Sequence, residues 1–283
     1  CTWYWLNDLL TSINIPLTLA HAKYVKAIAY AKVKTDKVDS HILAQLLRLN
    51  FIPQAHKISN ENRTLRDALR ARLKIVQRCT SVTNSMALLL AKYNLSEPEG
   101  LQDIPKLQFE QLSVHASLLK EQMLTLEKSL YPYLIPNEDI QRLLWIPGIG
   151  KMNAFTIALE ADDIKRFADV KNFFSYCRLS PSARNSAGKS KQRSSKDGNK
   201  YLKIVFTDAA THAVQYYPVI RKYHNSLLRK KNKIVAKTII AKEIAEIVFH
   251  ILKNKTNFNN KFKGVELQHK KSLQWPRVVS PYA

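Results

Sequence analysis

Residues 112–130 read LSVHASLLKEQMLTLEKSL, with apolar positions Leu112, Ala116, Leu119, Met123, Leu126 and Leu130 spaced 4, 3, 4, 3, 4. That alternation keeps the apolar side chains on one stripe of an α-helix and makes the seam of a coiled coil or a helical hairpin. A companion series, Leu65, Leu69, Leu73, Val76, Thr83, Ala87 and Leu90, precedes it, and Ser96-Glu97-Pro98-Glu99-Gly100 supplies the turn between them. Nothing polar interrupts the second seam in a ligand pattern, so the middle of the chain is expected to be a helical arm or dimerisation element. Periodicity alone does not separate a hairpin within one chain from a pairing between copies.

Outward from the arm the chain is again mostly helical in pattern. Only six glycines occur, and Gly148, Gly150, Gly188 and Gly198 lie close together, marking where the backbone turns sharply. At the front, Trp3–Ile13 reads as a helix and Ile15–Ala20 as a short buried strand. Lys23–Ala31 and Asp36–Leu49 then read as helices, together the rear of an α/β unit. Pro132 and Pro136 close the arm. From Ile140 a helix-rich basic domain begins, reaching at least His250. Lys253–Ala283, with Glu266 as its one acid, reads as a poorly ordered basic tail. The expected domains are residues 1–56, 57–137, 138–252 and 253–283. The chain starts at Cys1 without a signal peptide, and reads as part of a longer frame.

Charge narrows the partner. The 283 residues carry 45 Lys+Arg against 22 Asp+Glu, a formal net charge of +23. Such an excess calls for a polyanion, nucleic acid before an anionic membrane surface. A hydrophobic content of 46% excludes disorder throughout. No apolar run approaches the roughly 18 residues of a membrane span. Cys1, Cys79 and Cys177 form no CxxC or zinc spacing, which fits a reduced, cytoplasmic protein.

Four segments carry candidate chemistry. In Leu143-Leu144-Trp145-Ile146-Pro147-Gly148-Ile149-Gly150-Lys151 an apolar helix end, a Pro-Gly-Ile-Gly turn and a new helix give a helix-hairpin-helix pattern. Gly148 and Gly150 would let the backbone approach a phosphate, the next helix points N–H groups at the anion, and Lys151 adds charge. A tight turn between packed helices uses the same residues. The second segment, Ser180 to Lys203, holds Arg184, Lys189, Lys191, Lys200 and Lys203 among serines, and reads as a phosphate-binding loop with Gly198-Asn199 opening a helix. The third, Arg221–Lys242, has eight basic residues and no acid, with Lys230, Lys233 and Lys237 spaced to share a helix face. The fourth is Thr35-Asp36-Lys37-Val38-Asp39. Thr35 is placed to cap a helix, and the two aspartates either complement its dipole or form half of a Mg²⁺ site. The residues alone leave both open.

The stretches AKVKTDKVDSHILAQLLRL (Ala31–Leu49), LLWIPGIGKMNAFTIALEADDIKRF (Leu143–Phe167) and CRLSPSARNSAGKS with SSKDGNKYLK (Cys177–Lys203) resemble the DEDD transposases of bacterial insertion sequences. The resemblance covers nearly the whole chain in order. It implies a RuvC-like, RNase-H-like N-terminal domain, a coiled-coil arm and a serine-bearing transposase domain, mixed but mostly α. It implies Mg²⁺ held by four acids, the final two matching Asp36 and Asp39. Ser186 matches the serine that attacks a DNA phosphate and forms a covalent phosphoserine link. The first two acids, one on an early strand and one just before Cys1, would both precede this chain, with about fifty residues of strands and turns ahead of Cys1, leaving the metal site incomplete in this chain. The family further implies element ends and target DNA as substrates, a guide RNA, and assembly into a dimer or tetramer through the arm. The competing class is a non-catalytic nucleic-acid-binding protein on the same basic surfaces. A Mg²⁺-dependent junction resolvase without a serine step is a third.

Overall fold

A computed structural model describes residues 3–28, 35–186, 189–194 and 197–267. The chain divides into two compact units, Cys1–Asn60 and Glu61–Ala283.

The first unit holds α1 (Trp3–Ser12), α2 (Ala22–Ile28) and α3 (Asp36–Arg48). Thr35 caps α3, its Oγ1 accepting from Val38 N at 3.2 Å. The strand expected over Ile15–Ala20 does not form. Only Ala20 pairs, in one antiparallel bridge to Gln54, flanked by His21 N to Pro53 O at 2.8 Å and Ala55 N to Leu19 O at 2.7 Å. An apolar run becomes a strand only where a neighbouring edge accepts its backbone groups, and Pro16 has no N–H to give. Ile15 is 50% exposed, so the run is not buried either. The α/β architecture expected here is therefore not displayed: among the described residues this unit has helices and one bridge, without a sheet. The end of the helix expected over Lys23–Ala31 lies outside the described residues.

The second unit opens with α4 (Asn60–Lys92) and α5 (Asp103–Leu130), joined through a short 3-10 turn at Pro98–Gly100. The two helices pack on each other within one chain. Val82, Ala116 and Leu119 are buried together, with Ile75, Cys79, Met86 and Leu112 against them. The α5 seam runs as its spacing predicts. On α4 the seam passes through Cys79, Val82 and Met86 instead of Thr83 and Ala87, which are exposed. One residue is about 100° of helix rotation, so a register error of one turns a seam position to solvent. Arg72 pairs with Glu127 across the hairpin. At its base Leu69, Leu73, Leu130 and Leu134 enter the main core.

That core is built by α6 (Glu138–Leu144), α7 (Lys151–Ala161), α8 (Val170–Tyr176), α9 (Lys200–Tyr216), α10 (Pro218–Leu228) and α11 (Lys233–Asn254). Ala209, Ala210 and Ala213 on α9 and Ala236, Ala241 and Ala245 on α11 are fully buried. Alanines let helix axes approach while keeping helix propensity. Phe173, Phe206, Leu143, Ile149, Ile157 and Ile240 fill the space between, each worth about 1.5–3 kcal/mol of transfer free energy. Between α8 and α9 lies the antiparallel pair β1 (Pro181–Ser186) and β2 (Lys189–Ser194). After α11, β3 (Lys261–Phe262) and β4 (Val265–Glu266) form a small hairpin.

This last hairpin corrects the expectation of a poorly ordered tail from Lys253. Lys253 and Asn254 complete α11, and Phe262 and Leu267 are buried in the main core. Leu267 N donates to Asn260 O at 2.9 Å, and Asn260 Nδ2 to Leu267 O at 2.7 Å. Two apolar side chains anchor a segment that charge composition marks as solvated. The rest of the expected tail, 268–283, lies outside the described residues. Lys230 does not share a helix face with Lys233 and Lys237: it lies in the turn after α10, and Asn232 starts α11 anew.

Candidate active site and nucleic-acid interface

The segment expected as a basic serine loop is a β-hairpin. Its register pairs Ser182 with Arg193, Arg184 with Lys191, and Ser186 with Lys189. Alternate residues of a strand share a face and directly opposed residues share it too. One face therefore takes Ser182, Arg184, Ser186, Lys189, Lys191 and Arg193. The other takes Pro181, Ala183, Asn185, Ser190, Gln192 and Ser194, none of them charged. All the hairpin's basic residues and Ser186 fall on one side. Ala187 and Gly188 of the Ser-Ala-Gly-Lys block lie outside the described residues.

The hairpin's two legs are fastened at their base. Arg178, with φ of 56°, turns the chain out of α8, and its Nε donates to Gly198 O at 2.9 Å. Asn199 N donates to Tyr176 O at 2.6 Å. Gly198 has φ of 92°, and a Cβ there would lie 2.4 Å from Tyr176 O, so only glycine fits. Asn199 is buried and caps α9, its Oδ1 accepting from Tyr201 N at 2.9 Å and Leu202 N at 3.1 Å.

The amide nitrogen of Asn199 donates to a buried carboxylate, Glu160 Oε2, at 2.7 Å, and to Tyr176 Oη at 3.3 Å. Glu160, 1% exposed, ends α7 and also accepts from Arg66 Nε at 2.9 Å and Arg70 Nη2 at 2.8 Å. Arg70 Nε bonds its second oxygen, and the Arg70 guanidinium lies 4.5 Å from the Tyr201 ring centroid. Burial by itself lowers the Arg70 pKa, but the hydrogen bond and charge of Glu160 outweigh it and hold it above its ordinary value. A buried charge persists only when paired and hydrogen-bonded, and Glu160 has both.

The Pro-Gly-Ile-Gly turn forms between α6 and α7 as expected. Gly148 has φ of 81°, and a Cβ on it would meet Ala209 O of α9 at 2.0 Å. Gly150, the residue preceding α7, is exposed, and a Cβ there would meet nothing within 4 Å. Lys151 Nζ lies 4.2 Å from the Tyr131 ring centroid, and burial lowers its pKa. Gly148, Gly150 and Lys151 border an open cleft of about 1050 Å³ that α4, α5 and α9 also line. Arg72 is paired with Glu127 there, and Asn153 Nδ2 donates to Asp208 Oδ2 at 2.8 Å.

Asp36 and Asp39 occupy the first turn of α3, both exposed. Among the described residues no group of three or more His, Cys, Asp or Glu is close enough to hold a metal ion. No helix among them is long and apolar enough to cross a membrane.

The model of the transposase IS116/IS110/IS902 family matches residues 140–225, and a transposase model of the DEDD type matches residues 2–95. The chain is 26% identical over 250 residues to the transposase for insertion sequence element IS1328 of Yersinia enterocolitica, covering 80% of this chain and 75% of that one. It is 22% identical over 280 residues to a probable family 20 transposase of Pseudomonas aeruginosa, covering 89% and 81%. The transposase for insertion sequence element IS1111A of Coxiella burnetii is 23% identical over 230 residues, covering 73% and 62%. Over residues 2–95 and 140–225, in order, the chain matches the IS110/IS116/IS902 transposases.

A transposase is an enzyme of DNA transposition, which implies DNA binding. The chain's expected site residues are only partly gathered. Ser186, Arg184, Lys189 and Lys191 share one hairpin face, and Lys200 and Lys203 follow on the first turn of α9. Gly148, Gly150 and Lys151 belong to a different surface, the cleft. Asp36 and Asp39 lie in the other unit. The Glu160 cluster has no counterpart among the sequence expectations, although Asn199 was expected to open a helix facing an anion. The anion its amide faces is Glu160. A single acid closing an apolar helix looks solvent-facing in sequence; Arg66 and Arg70, interleaved with Leu65, Leu69 and Leu73, were the available signal.

Proposed function

We propose that the transposase cuts and exchanges DNA strands through Ser186, with the hairpin face as the phosphate-binding surface. What supports this is the register that sets Ser186 beside Arg184, Lys189, Lys191 and Arg193 on one face. Ser186 Oγ attacks a backbone phosphorus, its proton leaves, the P–O bond to one strand breaks and the departing oxygen takes a proton. The phosphoserine link conserves bond energy for the exchange, so no nucleotide cofactor is needed. The basic side chains neutralise the phosphate oxygens as charge builds, and Lys200 and Lys203 extend that surface along α9.

The DEDD family typically uses divalent metals. Exposed carboxylates one turn apart suit Mg²⁺, a hard cation held by one or two carboxylates plus substrate phosphates. Asp36 and Asp39 would hold it within an RNase-H-like region, and the ion would supply Lewis-acid polarisation of a phosphate. Residues 1–56, 57–137 and 138–252 serve as metal-binding region, arm and serine-bearing region. Gly148, Gly150 and Lys151 clamp the nucleic-acid backbone, and a guide RNA selects the partners. Copies join through the arm, where Ile104, Leu107, Val114 and Leu118 leave an exposed apolar stripe on α5. The setting is the bacterial cytoplasm.

The test is a denaturation-resistant protein–DNA adduct, formed by the full protein with Mg²⁺, cognate ends and element RNA. Ser186→Ala should abolish the adduct and leave salt-sensitive DNA binding intact. Cleavage that survives Ser186→Ala would instead assign the chemistry to the metal site alone. Absence of any adduct from the unmutated protein would overturn the serine mechanism.

A further inference from the structure

We infer that Glu160 is a positioning residue for the serine hairpin, tying the base of that hairpin to the root of the arm. The observation is the convergence of three distant segments on one buried carboxylate. Arg66 and Arg70 come from α4, Glu160 from the end of α7, and Asn199 from the point where the chain returns from the hairpin into α9. Each Asn199 group has a separate task. Its oxygen caps α9, while its nitrogen binds Glu160 and Tyr176. Neither serine nor aspartate does both, because serine lacks the amide donor and aspartate presents a second anion to Glu160.

Among the described residues, the bonds that fasten the hairpin lie at its base. It is a two-stranded sheet, which has marginal stability by itself. Its orientation depends on the short connections at its base: Arg178 to Gly198 O, Asn199 N to Tyr176 O, and the Asn199 side chain to Glu160. The last of these is the one that reaches the arm. Glu160 therefore sets the angle at which the Ser186 face stands relative to α4. A misplacement of about 1 Å at a reacting group costs on the order of a hundredfold in rate. Removing the link should accordingly slow chemistry while leaving the charge that binds DNA untouched. The inference rests on Ser186 as nucleophile for its catalytic part and on the fold alone for its positional part.

Two variants of the full protein test it, Glu160→Gln and Asn199→Ser. Glu160→Gln leaves two arginines facing an amide and risks misfolding. Asn199→Ser keeps a good helix cap and removes the amide donor shared by Glu160 and Tyr176 Oη. Two readouts are needed: hydrogen exchange of the β1 and β2 amides, and the rate of Ser186 adduct formation at saturating DNA. For Asn199→Ser we expect faster exchange in β1 and β2, with α9 and α11 amides unchanged. We also expect an adduct rate lower by about ten- to a hundredfold, at a DNA Kd within about twofold of the unmutated protein. Wild-type exchange in the hairpin would overturn the inference. So would faster exchange spread through α9 and α11 with weakened DNA binding, since that is general destabilisation. If the unmutated protein forms no adduct, or Ser186→Ala keeps it, the nucleophile assignment fails, and the exchange readout still decides whether Glu160 positions the hairpin.

Discussion

Alanine at Gly148 and at Gly150 should have opposite consequences, although the two glycines are separated by one residue. At Gly148 the backbone stands at φ of 81°, where an L side chain costs about 1–2 kcal/mol. The added Cβ would also lie 2.0 Å from Ala209 O, 2.9 Å from Ala209 C and 2.9 Å from Ala213 N, all backbone atoms of a buried helix. They cannot rotate away, so α9 or the turn must shift, and such overpacking costs about 1–3 kcal/mol. The sum is about 2–5 kcal/mol. At about 2–4 °C per kcal/mol for a unit of this size, Tm falls by about 4–20 °C. Gly150 has φ of −97° and open space around it, so its alanine variant loses at most about 1 kcal/mol of capping. It places a methyl where a DNA phosphate would approach the start of α7, and affinity should fall severalfold. Thermal unfolding and a DNA titration at fixed salt, run on both variants, separate the two roles. An unchanged Tm for Gly148→Ala would refute the packing account. Equal loss of Tm in both variants would refute the distinction between them.

Other outcomes follow from the same structure. Cys177 is fully buried, and burial pushes its thiol well above the ordinary value of 9.0, against the opposing charge of Arg166. It should resist alkylation in the folded protein at mildly alkaline pH, read by peptide mass spectrometry, while half-buried Cys79 reacts sooner. Because the folded-state thiol holds its proton longer than the unfolded one, stability should fall as pH rises past about 9; in urea titrations across that range Cys177→Ala should remove part of the fall, and an identical pH profile would count against it. In the arm, Val82→Asn should cost about 2–3 kcal/mol and Thr83→Asn under about 0.5 in urea titrations, since Val82 is buried and Thr83 exposed. Equal costs would mean the seam runs elsewhere. Replacing Lys200 and Lys203 together by alanine should lower the slope of log affinity against log salt by about 1.8, two phosphate contacts at about 0.9 each. An unchanged slope would remove both from the DNA surface.

What the sequence disclosed and what it hid separate along a physical line. The α5 seam was legible because a helix repeats its environment every turn, so six apolar positions report one contact surface. On α4 the apolar spacing is ambiguous by one residue, since Thr83 and Ala87 are tolerable at a seam and Val82 and Met86 lie one position away. The basic segment around Ser186 announced its charge but not its shape. Strand alternation needs contrast between apolar and polar positions, and here cations alternate with serine, asparagine and glutamine, so the pattern reads as a loop. Yet the alternation was present: Arg184 and Ser186 on one strand, Lys189, Lys191 and Arg193 on the other, each two apart. The strand expected at Ile15–Ala20 failed for the converse reason, an apolar run with a single bridging partner. Glu160 was hidden most deeply. Its meaning depends on Arg66, Arg70 and Asn199, and no local pattern joins positions so far apart in the chain. A carboxylate in that setting is either expensive or fully paired, and its four nitrogen partners place it in the second class. The candidate chemistry was therefore visible residue by residue, whereas the device that aims it became visible only when the chain was folded.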